Sequence, residues 1–172
     1  MIKLNLPSDV NKFLDLKVGD IVSLSGTIFV ARDAAHKRLV QLIKNGESLP
    51  FDLKDATIYY AGPCPTPNGK VVGSVGPTSS YRMDDYTPVL LENGLKGMIG
   101  KGGRNQQVIN SIIKNKAIYF SAIGGAGALY SSKVVKSELI AYPELLSEAV
   151  YRYEIKDFPV IVAIDCKGNS VY

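Results

Sequence analysis

The sequence has little cysteine, little net charge and no long hydrophobic run. Its two cysteines, Cys64 and Cys166, lie far apart and outside any C-x-x-C pair. That spacing excludes a disulfide framework and a self-contained zinc or iron–sulfur site, and it fits a reducing compartment. No apolar run approaches the ~18–20 residues of a membrane span. The N-terminal stretch MIKLNLPSDVNKFLDL lacks the apolar core of a signal peptide, so a cytoplasmic chain is expected. Lys and Arg number 20 against 16 Asp and Glu, a net charge of +4. So mild and scattered an excess gives no case for nucleic acid and is compatible with a small anion. No internal repeat or charge block is present. The sole histidine is His36.

What is present is ordinary globular composition. Apolar residues make up 46% and charged residues 21% of 172, which excludes a disordered chain. The length matches one domain over residues 1–172, and a chain this long hides roughly 70% of its unfolded surface. Hydrophobic periodicity predicts strands at Asp20–Val30, Ala56–Ala61, Lys70–Val75, Leu95–Ile99, Ala117–Ala122, Val134–Ala141, Val150–Ile155 and Pro159–Asp165. It predicts helices from Asp33, as N-cap, to about Asn45, over Asp84–Asn93, and over Asn105–Asn115. Strands alternating with helices, then a strand-rich tail, indicate a layered α/β domain with a mixed sheet. Glycines cluster at Gly73–Gly76, Gly94–Gly103 and Gly124–Gly127, where strands end. Sites in open α/β sheets collect at such ends.

Two of these junctions carry polar side chains suited to an anion. In Ala31-Arg-Asp-Ala-Ala-His36, an arginine precedes a helix N-terminus, where free N–H groups and the helix dipole favour negative charge. The competing reading is a solvated basic first turn, and a lone histidine is more often structural than catalytic. In Gly76-Pro-Thr-Ser-Ser-Tyr-Arg82-Met-Asp84, a forced turn presents hydroxyls, with an arginine able to clamp a carboxylate or phosphate by two parallel bonds. A hydroxyl-rich helix cap is its plainer alternative.

Two glycine motifs are incomplete. Gly97-Met-Ile-Gly100-Lys101-Gly102-Gly103 fails the phosphate-loop pattern, because no glycine occupies position 95 and no hydroxyl follows the lysine. Lys101 still suits a bare anion. Gly124-Gly-Ala-Gly127 lacks the last glycine of a dinucleotide loop, so close packing or approach to another subunit is the better reading. Arg32, Arg82 and Lys101, with the hydroxyl of Thr78, suit a small molecule with two carboxylates. They look like half of an active site.

These residues resemble a known family. GDIVSLSGTIFVARDAAHKR, YYAGPCP, GSVGPTSSYRMD, GMIGKGG, FSAIGGAGAL and DFPVIVAIDCKGN are similar, in order, to the β subunit or C-terminal domain of class I iron–sulfur hydro-lyases. Those are the oxygen-sensitive fumarate hydratases and the L(+)-tartrate dehydratases. The resemblance implies a swivelling β/β/α fold and a partner α subunit, in an α2β2 assembly, that holds a [4Fe–4S] cluster through three cysteines. It implies reversible hydration of a trans dicarboxylate, fumarate to (S)-malate, with no nucleic acid and no membrane involved.

By the same resemblance Arg32, Arg82 and Lys101 bind substrate carboxylates and Thr78 takes the carbon-bound proton. Cys64, in G-P-C-P, is not a cluster ligand. Ser79 and Tyr81 stand where the family often has threonine and glycine, a change that could alter the pocket. Leu146-Ser-Glu-Ala149 replaces Gly-Met-Glu-Ala, a structural difference. Such chemistry needs a Lewis acid on the leaving hydroxyl, a base beside a carboxylate and stabilisation of developing charge. A neutral threonine is a poor base, so an activating carboxylate is expected from the α chain. The alternatives are a tartrate dehydratase β subunit and a non-catalytic anion-binding assembly module.

Overall fold

The computed structural model describes residues 1–123 and 126–172. Strands β1 (Ile2–Leu6), β2 (Ile21–Val30), β3 (Thr57–Tyr59), β4 (Gly97–Gly100), β5 (Ile118–Ser121), β6 (Val134–Ala141) and β7 (Val150–Ile164) form one mixed sheet. Helices α1 (Asp33–Lys44), α2 (Thr87–Glu92) and α3 (Gln106–Asn115) connect β2, β3, β4 and β5, which run parallel. Parallel neighbours need such crossovers. A fourth helix, α4 (Gly127–Ser132), precedes β6.

The sheet does not remain open. β7 pairs antiparallel with β5 on one side and with β2 on the other, so β2, β3, β4, β5 and β7 close into a barrel. β1 and β6 are attached outside that ring, to β2 and β7. Closure explains the strand composition, because successive side chains enter two different cores. Tyr59, Ile99, Ile118 and Phe120 pack with Leu24, Ile28 and Val162 in one core. Ile58, Tyr60, Met98 and Tyr119 pack with Leu39, Leu90, Val108 and Ile112 of the helices in the other. Both faces of β3, β4 and β5 are therefore buried, which is why they read as unbroken apolar runs.

The α/β class, the mixed sheet, β2, β6 and α3 agree with the periodicity, and several elements differ. Arg32, not Asp33, is the N-cap of α1. Lys70–Val75 forms no strand; Val72 and Val75 are buried, but Gly73 passes so close to the Cys64 carbonyl that the segment packs as a loop. The helix expected from Asp84 begins at Thr87, with Pro88 in its first turn where a missing N–H costs nothing. Residues 80–83 instead form a 3-10 turn. The two C-terminal strands are a single strand, β7, kinked at Asp157 with φ 53°. Of the predicted Gly124–Gly127 cluster, Gly124 and Gly125 lie outside the described residues.

Candidate active site

Every predicted site residue lies at the C-terminal end of the parallel strands. β2 ends at Val30, and Ala31 donates to the Tyr59 carbonyl, which sets Arg32 beside the end of β3. Beyond Tyr59, the segment Pro77–Ser79 enters between the ends of β3 and β4. Pro77 pairs with Ala61 and Ser79 with Lys101. Thr78 N–H donates to the Tyr60 carbonyl at 2.7 Å, and Ser80 N–H to the Lys101 carbonyl at 3.0 Å. Thr78 and Lys101 are thus held on adjoining backbones. Arg82 follows in the 3-10 turn and is exposed. Gly100 is required here, since any side chain on it would strike Ser80 Oγ and the Tyr60 ring.

Among the described residues, the side chains of Arg32, Thr78, Arg82 and Lys101 form no hydrogen bond or ion pair. The guanidinium next to them behaves oppositely. Arg104, whose side chain is 0% exposed, pairs with Asp84 at 2.7 Å. It also donates to Thr87 Oγ1 at 2.8 Å and the Tyr60 hydroxyl at 3.3 Å, and lies over the Tyr60 and Tyr119 rings. Its charge is spent inside the protein. No motif gives Arg104, Asp84, Tyr60 or Tyr119 a role, although Asp84 ends the Gly76–Asp84 stretch and Tyr60 stands in YYAGPCP. The signal that marks them is tyrosine inside otherwise apolar strand runs, TIYY and IYF, since a buried phenol needs a polar partner.

The N-terminus of α1 differs from its expected use as an open anion site. Glu148, from the Leu146–Ala149 segment, accepts the Ala34 N–H at 3.3 Å and supplies part of the negative charge that helix end favours. Arg32 passes over Gly62, where any side chain would strike it and the Ser147 carbonyl. Arg32 Nε and Asp33 Oδ1 are buried without a hydrogen-bond partner among the described residues.

His36 is fully buried. Its Nδ1 lies 2.8 Å from the Arg32 carbonyl. A carbonyl can only accept, so Nδ1 carries the proton and helps fix the backbone of Arg32. The ring meets Tyr60 edge-on and tilts against Tyr86. Desolvation pushes its pKa from 6.5 down to about 4; the Arg32 carbonyl opposes the shift, Arg104 adds to it and Asp33 opposes it. His36 is therefore neutral at pH 7, and its Nε2 is buried without a hydrogen-bond partner among the described residues.

A depressed histidine pKa means that the unfolded chain takes up the proton first. Stability is full above pH 6.5 and falls as pH drops towards about 4. The loss expected is on the order of 3 kcal/mol. Denaturant unfolding of wild type and His36→Asn between pH 7 and pH 4 checks this. The wild type should lose that much more than the variant, and parallel curves would refute it.

The described residues do not fit a metal centre. No three His, Cys, Asp or Glu side chains among them gather around one point. Cys64 is exposed and Cys166 half-buried, its thiol directed to the Phe13 carbonyl. No helix among the described residues is long and apolar enough to cross a membrane.

The family model for the fumarase C-terminus matches residues 1–172. The chain belongs to the fumarase C-terminus family. It is 44% identical over 153 residues to the aerobic class I fumarate hydratase of Escherichia coli, covering 88% of this chain and 28% of that protein. Fumarate hydratase 2 of Leishmania major is 41% identical over 157 residues, 90% of this chain and 28% of that protein. A putative L(+)-tartrate dehydratase subunit beta of Methanocaldococcus jannaschii is 38% identical over 170 residues, 95% of this chain and 86% of that protein. The chain thus spans about 28% of these fumarate hydratases and 86% of the putative tartrate dehydratase subunit beta. Membership in the fumarase C-terminus family accords with the swivelling-domain expectation of a mixed α/β sheet, here closed into a barrel.

Proposed function

We propose that this chain is the β-subunit-type half of an iron–sulfur hydro-lyase that reversibly hydrates fumarate to (S)-malate. The observation that carries the reading is the set of unengaged side chains at one barrel end, Arg32, Thr78, Arg82 and Lys101, beside an arginine that is fully neutralised. Cations left unpaired in a folded protein suit a dianion, and the spread over β2, β4 and the 3-10 turn suits two carboxylates rather than one. Arg32 and Arg82 can each fork to a carboxylate, and Lys101 acts as a point charge. Thr78 Oγ1 accepts the proton from the carbon beside a carboxylate. A neutral threonine is a poor base, and no carboxylate among the described residues hydrogen-bonds to Thr78, so a partner α subunit supplies the group that removes its proton.

The [4Fe–4S] cluster belongs to that α subunit, in line with a chain whose described residues offer no ligand set. An open barrel end also needs a partner to exclude water from the reacting groups. An α2β2 assembly of cytoplasmic subunits, each chain here folding as one domain over residues 1–172, completes the proposal.

The extent of the match to a tartrate dehydratase beta subunit favours L(+)-tartrate as the second candidate substrate. The test is anaerobic co-expression with the α-type chain of the same genome. One gel-filtration peak containing both chains, active on malate or fumarate, is expected. Preference for L(+)-tartrate would move the assignment to the dehydratase. Two separate peaks, or a complex inactive on all three acids, would leave an assembly module instead.

A further inference from the structure

The buried polar cluster around Arg104 reaches further than its ion pair. Asp84 accepts from Arg104 Nε through Oδ1 and from the Asn105 N–H, at 2.9 Å, through Oδ2. Thr87 Oγ1, which takes a bond from Arg104, donates to the Met83 carbonyl. Arg104 thereby ties the start of α3, the 3-10 turn bearing Arg82, the start of α2 and the end of β3 into one unit.

A second chain of bonds continues from Tyr119, whose ring lies under the Arg104 guanidinium at 4.9 Å. The Tyr119 hydroxyl is 2.7 Å from both the Gly102 carbonyl and Ser80 Oγ. The carbonyl can only accept, so Tyr119 donates there and Ser80 completes the other contact with its own proton. Ser80 Oγ also accepts the Lys101 N–H at 3.1 Å. Burial raises the Tyr119 pKa, so the hydroxyl keeps its proton at all working pH values.

These bonds end on the Lys101 N–H and the Gly102 carbonyl, and the Lys101 carbonyl in turn takes the Ser80 N–H. We propose that Tyr119 and Ser80, braced by the Arg104–Asp84 pair, are positioning residues that fix Lys101 relative to Thr78 and Arg82. The role rests on the hydro-lyase reading of the site. Arg104 itself takes no substrate, since its donors and its charge are already committed.

The test uses the co-purified complex and the variants Tyr119→Phe, Ser80→Ala, Lys101→Ala and Tyr119→Phe with Lys101→Ala. Tyr119→Phe keeps the ring on Arg104 and removes only the hydroxyl, so the fold is retained. Ser80→Ala provides a second variant that acts on the same peptide groups. Amide hydrogen exchange at Ser80, Lys101 and Gly102 should quicken roughly 2- to 10-fold, the equivalent of one lost neutral hydrogen bond, with β7 unchanged. Efficiency on fumarate should fall by a similar factor in the wild-type background. It should fall no further in the Lys101→Ala background, because residues acting through one another are not additive. Unchanged exchange, or effects of Tyr119→Phe and Lys101→Ala that multiply independently, overturns the positioning role. An inactive wild-type complex overturns the hydro-lyase reading, and the catalytic purpose of the pinning with it, whatever exchange shows.

Discussion

Thr78→Ala in the assembled enzyme is expected to lower turnover by about 10²–10⁴-fold while changing the Michaelis constant little. Loss of a proton acceptor removes an interaction present mainly in the transition state, and such losses fall on the turnover number. The structure sharpens the expectation. Thr78 is held by its backbone, through its N–H to the Tyr60 carbonyl, so alanine leaves the segment in place and removes only the hydroxyl and methyl. Thr78→Ser should recover part of the activity, since the hydroxyl survives and the methyl that restricts its rotamer is lost. Ser79, whose backbone pairs with Lys101, is the neighbour able to substitute, and Ser79→Ala belongs in the same series. The deciding measurement is exchange of the substrate's carbon-bound hydrogen with deuterated solvent. A Thr78→Ala enzyme that loses turnover but keeps wild-type exchange would show that Thr78 holds substrate and takes no proton.

How far the site was legible depends on what each residue needs from its neighbours. Arg32 follows the end of β2, Lys101 follows β4 between Gly100 and Gly102, and Thr78 and Arg82 follow the Gly76-Pro77 turn, and a chain that changes direction at such points leaves a local mark in the sequence. The structure places all of them at one end of the barrel. Their shared geometry was not legible, because it depends on Pro77–Ser79 entering between the ends of β3 and β4. Asp84 reads as the start of a helix by its position, yet its carboxylate is engaged by Arg104, 20 residues away in sequence. A long-range partner leaves no periodic trace.

The fold shows the same limit. α3 was legible because Asn105 caps it locally, accepting the Val108 N–H at 2.9 Å, and because its buried residues recur at helical spacing. The break expected in β7 at Lys156–Phe158 is bridged by contacts with β2. Asp157 N–H donates to Ser25 Oγ at 3.1 Å, and its carboxylate lies 3.4 Å from Ser23 Oγ. Closure of the barrel has no signature in any single strand, since it rests on β7 finding β2 and β5 together. An open sheet and a closed one use the same alternating runs.

Arg82→Ala should cost efficiency on the order of 30-fold to several thousand-fold, equivalent to roughly 2–5 kcal/mol for one member of a desolvated charge pair. Arg82 is exposed and forms no ion pair within the described residues, so the substitution should leave the stability of the chain nearly unchanged. Surface replacements away from packed features usually stay within about 0.5 kcal/mol. A large catalytic loss with an unmoved melting curve therefore separates substrate binding from folding. The charge matters only once the partner closes the barrel end, where low dielectric strengthens a bond that water would otherwise screen. Arg82→Lys should restore a minor part, because a lysine keeps the charge but cannot form two parallel bonds to a carboxylate. Lys101→Ala should be milder than Arg82→Ala for the same reason. An Arg82→Ala complex within threefold of wild-type efficiency would reject the clamp, and a matching loss in Arg82→Lys would show that the fork rather than the charge holds the substrate.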